Sequence, residues 1–153
     1  TQVRYEERLR REARLLGFDP DLVFVEPGSR VPALLPAFDL FALTSVPNSE
    51  GIPTAVLEAM AAGIAVITVD VGAVREAVTT DTGIVVPAED PVAVAAAITT
   101  LHGDTDRRAA MAEAGRQRAW AHFTTRQTAE AHAKAFAIAL ARKARRPTAH
   151  GDG

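Results

Sequence analysis

The chain has 153 residues, no cysteine, and a net charge of −2 from 17 basic and 19 acidic side chains. That length supports one buried core, the charge argues against a nucleic-acid partner, and the lack of thiols excludes disulfides, thiolate metal sites and a cysteine nucleophile. A cysteine-free chain suits a reducing, cytoplasmic setting. The longest apolar run, Ala59 to Val69, is broken by Gly63 and falls short of the ~20 residues of a membrane span. No charged-then-apolar leader opens the sequence, so no signal peptide is expected.

Residues 4–16 place Tyr5, Leu9, Ala13 and Leu16 among alternating charges. This predicts an amphipathic helix with a solvated charged face, ended by Gly17. In an α/β unit such a helix follows a strand, and here none precedes it. Leu22-Val23-Phe24-Val25 reads as a short strand stopped by Glu26-Pro27-Gly28, and residues 31–37 as a short helix that Pro36 ends or kinks. Leu40–Thr44 reads as a buried strand. The loop 45–52 leads into a helix over 53–62, which Gly63 stops. Ile64–Val69 is a third strand, followed by a turn at Asp70–Ala73 and a helix near Val74–Val78. Gly83–Pro87 is a fourth strand, after which Asp90-Pro91 caps a helix running to about Leu101. From Asp104 to Arg146 the sequence is helical again, with a break near Phe123–Thr125 where Thr124 or Thr125 caps the last helix. Residues 1–146 are read as one partial domain and 147–153 as a disordered tail.

Continuous Val/Ile/Leu strands alternating with helices predict a Rossmann-like α/β fold, a parallel sheet with helices on both faces, ending in long helices. Ligands of such sheets bind at the carboxyl ends of strands beside helix N-termini, where the loops 45–52 and 70–73 lie. The helix beginning at Pro53 offers only Thr54 and Glu58 as polar residues, so it is expected to be buried nearly all round, with Glu58 in need of a partner. Glu50 stands in the preceding loop. Were both helical, the two carboxylates would be roughly 80° and ~12 Å apart, a spacing that suits two ends of one long ligand better than an acid–base pair across one bond. The amides of the helix start between them form an anion site. A nucleotide diphosphate sugar has that layout: hydroxyls at both ends and phosphates between. The structural alternative is that Glu50 favours the helix dipole while Glu58 meets a buried arginine.

Several stretches, in order, carry a resemblance. They are Val31-Pro-Ala-Leu-Leu, Asp39-Leu-Phe-Ala-Leu-Thr-Ser45, Glu50-Gly-Ile-Pro-Thr-Ala-Val-Leu-Glu58-Ala-Met-Ala-Ala-Gly63, Val71-Gly-Ala-Val-Arg-Glu76 and Thr82-Gly-Ile-Val-Val-Pro87, followed by Asp90-Pro-Val-Ala-Val-Ala-Ala-Ala-Ile and Ala119-Trp-Ala-His-Phe-Thr124. Over about residues 4–140 the chain resembles the C-terminal, donor-binding domain of GT-B glycosyltransferases of the large retaining family 4. The resemblance implies that Glu58 accepts hydrogen bonds from the donor ribose and that Glu50 touches the donor sugar. It also implies that Gly51, Ile52, Pro53 and Thr54 line the donor site with their backbone. Transfer would retain the anomeric configuration, with the diphosphate assisting its own departure and with neither cofactor nor obligatory metal. The carboxylates would then position and polarise rather than serve as acid and base.

Some positions depart from the family pattern. Ile52-Pro53 replaces a commoner Phe-Gly or Phe-Pro, Ala65 a frequent proline, and Ala73 a frequent second glycine. The family's earlier strands, with their Gly-Arg/Lys-Gly region, and its N-terminal acceptor domain have no counterpart here. The expectation is a fragment that is inactive without that missing GT-B domain. The alternatives are a non-catalytic nucleotide-sugar-binding or structural module and a GT-B nucleotide-sugar epimerase. A pyridoxal-dependent phosphorylase is disfavoured because the only lysines are Lys134 and Lys143. His102, His122, His132 and His150 lack the spacing of a zinc site. Arg75-Glu76 reads as a helix-end pair. The basic cluster 142–146 complements a helix C-terminus or makes weak contact with acidic lipid at the inner membrane face.

Overall fold

The computed structural model describes residues 2–26, 28–47 and 51–144. Glu50, the tail 147–153 and the side chains of the basic cluster 142–146 lie outside the described set. The chain packs as two compact units, residues 1–31 and residues 32–153.

In the first unit, α1 spans Gln2–Leu15. Gly17 adopts φ +78°, and the Gly17 and Phe18 amides donate to the Arg14 and Ala13 carbonyls at 3.2 and 2.9 Å. This is a glycine-closed helix end. Of the expected apolar face Ala13 is buried, whereas Tyr5 and Leu16 are exposed. The strand expected at Leu22–Val25 does not form. Leu22, Val23 and Val25 are 44%, 79% and 58% exposed, and among the described residues the segment has no ladder partner. An apolar run without a neighbouring strand leaves its backbone polar groups to solvent. The Arg10 guanidinium lies 4.1 Å from the Phe24 ring centroid.

The second unit contains a three-stranded parallel sheet. The unit starts within a short helix (α2, Val31–Leu34), which becomes a 3-10 turn over Leu35–Ala37, the change of pitch falling beside Pro36 as expected. Strands β1 (Leu40–Leu43), β2 (Ala65–Val69) and β3 (Gly83–Val86) lie in the order β1-β2-β3. Leu40 pairs with Ala65, and Val66 with Gly83. All five residues of β2 are buried. β1 is not the fully buried strand its composition suggests: it has one neighbour among the described residues, three of its residues are half-buried and Ala42 is exposed.

Because consecutive strands step in one direction, the right-handed crossover rule puts α3 (Thr54–Ala61) and α4 (Val74–Ala77) on one face, leaving α5 (Pro91–Gly103) for the other. The side chains follow suit. Ala65, Ile67 and Val69 form a core with Val86, Ala97 and Leu101 on the α5 side. On the opposite side Val66 lies so close to Gly83 that a Cβ there would sit 2.6 Å from Val66 Cγ2 and 2.8 Å from Val78 Cγ1. Two long helices follow, α6 (Thr105–His122) and α7 (Thr125–Ala144). α6 runs past the amino ends of the strands, where Gly115 approaches Met60 and the Thr82 carbonyl and Arg116 approaches Gly63. Thr124 is the cap of α7: its hydroxyl receives the Gln127 amide, and its own amide donates to Gln127 Oε1 at 3.0 Å, a reciprocal capping box.

Candidate functional site

The carboxyl ends of β1 and β2 lead into two loops that hold each other. The loop after β1 reaches Gly51, Ile52 and Pro53 before α3, and the loop after β2 is Asp70–Ala73. The Ala73 amide donates to the Gly51 carbonyl at 3.0 Å. Pro53 is fully buried and extended (φ −64°, ψ 110°) at the helix cap, with no side-chain capping bond. Its carbonyl receives the Val56 and Leu57 amides. The amides of Thr54 and Ala55, being in the first turn, have no acceptor within the helix. Having no N–H, Pro53 shapes this start and donates nothing to a ligand. Behind it the helix closes on Gly63 (φ +76°), whose amide, with that of Ile64, donates to Met60 and Ala59.

Glu58 is not buried. Val56, Ala59 and Met60 take the core face of α3, while Thr54 and Glu58, one turn apart, are exposed. Gly51 is exposed and Ile52 half-buried. The buried arginine that would have explained Glu58 structurally is absent among the described residues: its carboxylate makes no ion pair or side-chain hydrogen bond there. Glu58 instead borders a groove of about 410 Å³ between α3 and the α6–α7 junction, opposite Trp120, Phe123 and Arg126. Trp120 is 62% exposed, its indole N–H donating to the Ala61 carbonyl at 3.4 Å. Arg126 is paired with Glu130.

A second crevice, of about 370 Å³, lies at the carboxyl ends between Thr44, Val69 and the start of α5 at Asp90-Pro91. Asp90 caps α5 by accepting the Ala93 amide at 2.9 Å. Glu89 takes the left-handed conformation (φ 58°) in this turn.

Arg75 does not pair with Glu76. Its Nε and Nη2 reach both carboxylate oxygens of Asp70, each at 2.9 Å. From α6, Arg118 donates to the Glu76 and Ala77 carbonyls at 2.7 and 2.8 Å, satisfying the end of α4. The sequence offered no sign of this contact across 41 residues. The Asp70–Arg75 spacing of five was visible but falls outside helical pairing rules. No three acidic or histidine side chains cluster in metal-binding geometry among the described residues, and no described helix is long and apolar enough to cross a membrane.

Residues 2–104 match the family model described as glycosyl transferases group 1. The lipopolysaccharide core biosynthesis mannosyltransferase LpsB of Rhizobium meliloti is 32% identical over 135 residues, covering 86% of this chain and 38% of that protein. The D-inositol 3-phosphate glycosyltransferase of Salinispora tropica is 37% identical over 119 residues, covering 76% of this chain and 24% of that one. The chain thus spans well under half the length of these relatives. Among solved structures, Anabaena HepE in complex with UDP superposes with a TM-score of 0.79 at 25% identity, covering 87% of this chain and 38% of HepE. HepE with UDP-glucose gives 0.76 at 26%, covering 85% and 37%. The C-terminal domain of the Francisella tularensis group 1 protein LpcC shares the fold, with a TM-score of 0.70 at 23% identity, covering 79% of this chain and 63% of that one.

Proposed function

The chain belongs to the group 1 glycosyl transferases, with the Rossmann-like fold of a GT-B C-terminal half, and from that premise we propose that it is the donor-binding part of a retaining enzyme that uses a nucleotide diphosphate sugar. The observation that carries this reading is Glu58. An exposed carboxylate with no protein partner among the described residues sits one turn inside a helix that starts at the carboxyl ends of a parallel sheet. A ribose supplies the hydroxyl donors such a carboxylate lacks, and a diphosphate suits the amides at the helix start. The related HepE has been solved with UDP and with UDP-glucose, which favours a nucleotide-sugar donor here as well.

In this account Glu58 takes the ribose, Glu50 the sugar hydroxyls, and the backbone at Gly51, Ile52 and Thr54 faces the diphosphate, with Pro53 fixing the turn behind them. The carboxylates orient the donor, the diphosphate leaves with no obligatory metal, and the acceptor is bound by a separate N-terminal domain. The setting is the cytoplasm, at the inner membrane face where the cluster 142–146 meets acidic lipid. Calorimetric titration of the chain with UDP-, GDP- and ADP-sugars tests the reading. Saturable binding of one series supports it, and heat-silent titration with all three sinks it.

A further inference from the structure

We propose that the Asp70–Arg75 pair is a latch that sets the donor loop at Gly51–Pro53, a positioning role exercised through the Ala73 amide. The proposal rests on the donor-site reading above. Asp70 is fixed first by its backbone, which donates to the Val86 carbonyl of β3 at 2.8 Å. The two-point fork from Arg75 then closes a small ring around residues 71–74. Inside that ring Gly72 takes φ +54°, and Val71 and Val74 bury their side chains. The far end of α4 is held by Arg118. Ala73 is therefore pinned from both sides, and its amide holds the Gly51 carbonyl.

Among the described residues Gly51 has no comparable support. It is exposed, and a Cβ built on it would meet nothing within 4 Å. Among the described residues, the bond from Ala73 is the only backbone hydrogen bond made by Gly51 or Ile52. Burial of Pro53 anchors the helix end of the segment, and the position of the Gly51 carbonyl before it is tied to the turn after β2, and through that turn to the ion pair. The pair is itself well exposed, at 43% for Asp70 and 65% for Arg75, and exposed pairs contribute little to global stability. Two-point geometry at such a place serves orientation, which ligand sites need to sub-ångström tolerance.

The test compares the unmodified chain with Asp70→Asn, Arg75→Gln and the double variant, using UDP as the probe. Three quantities are read: affinity by calorimetry, melting temperature, and hydrogen exchange of the Ala73 amide by NMR. The latch predicts that each single variant weakens UDP binding by about fivefold or more. The double variant is no weaker than the singles, because the two residues act as one unit. Ala73 exchange quickens in all three while melting stays within about 3 °C. Unchanged affinity overturns the latch, and so does weakened affinity with Ala73 still protected, which would mean direct contact with the ligand. A large drop in melting temperature overturns it too, by showing a structural role. If the unmodified chain binds no UDP, GDP or ADP takes its place as the probe; if it binds none of the three, the donor-site reading fails instead, and Ala73 exchange in the variants alone decides whether the latch exists.

Discussion

Glu58 and Thr54 lie four residues apart on α3, and that single stripe is all the polarity the helix has. The small size of the stripe suggests a helix surrounded by protein. The fold needs only Val56, Ala59 and Met60 for its core face and leaves Ala55, Leu57 and Ala61 half-exposed. Alanine makes a helix look more buried than it is, because it is apolar yet loses little by standing at a surface. The position of Glu58 was therefore legible and its surroundings were not. Since it touches no partner among the described residues, Glu58→Ala should change unfolding free energy by no more than about 0.5 kcal/mol in urea titrations. Gly83→Ala is the opposite case. The new methyl would press on the Val66 side chain, the Val66 carbonyl and Val78, all within 3 Å. An overpacked core strand of this kind should lose about 1–3 kcal/mol, read as a lower denaturant midpoint with unchanged slope.

At the scale of elements, the sequence was readable where local chemistry and packing agree. Asp90-Pro91 and the Asp104 start announce α5 and α6, and both carboxylates do accept a first-turn amide, from Ala93 and Arg107, at 2.9 Å. Replacing either by alanine should cost about 1 kcal/mol, measurable by thermal or urea unfolding, with Asp104→Ala leaving nucleotide binding untouched. β2 and β3 stand where their Val/Ile runs place them. The segment Leu22–Val25 has the same composition and no ladder, because β-propensity describes a fit to a pleated, half-buried surface, and no strand lies beside it among the described residues. The end of α2 beside Pro36 and the break at Phe123–Thr125 were visible in the residues. That Thr124 rather than Thr125 is the cap was settled by Gln127, whose side chain completes the box.

Within the second unit, α6 passes the amino ends of β2 and β3, beside Gly63 and Thr82, and the loops 51–53 and 70–73 meet at the opposite, carboxyl ends. Family motifs carried this architecture into the sequence, but not the long-range contacts that tune it: Arg118 to α4, Trp120 to Ala61, Asp70 to Arg75. The chain spans 38% of the length of LpsB, and the account places the acceptor site in the remainder of such a protein. Incubation of the isolated chain with donor and a simple acceptor sugar should therefore give no transfer by product chromatography. The central claim is that Glu58 holds the ribose of a nucleotide donor. Its most direct test is a calorimetric comparison of nucleotide binding, with whichever of UDP, GDP or ADP the unmodified chain takes, to that chain and to Glu58→Ala, with melting temperatures recorded alongside. The account predicts one-site binding that weakens at least about tenfold in the variant, the loss of a hydrogen bond to a charged group, at unchanged melting temperature. Equal affinity in the two proteins would contradict it.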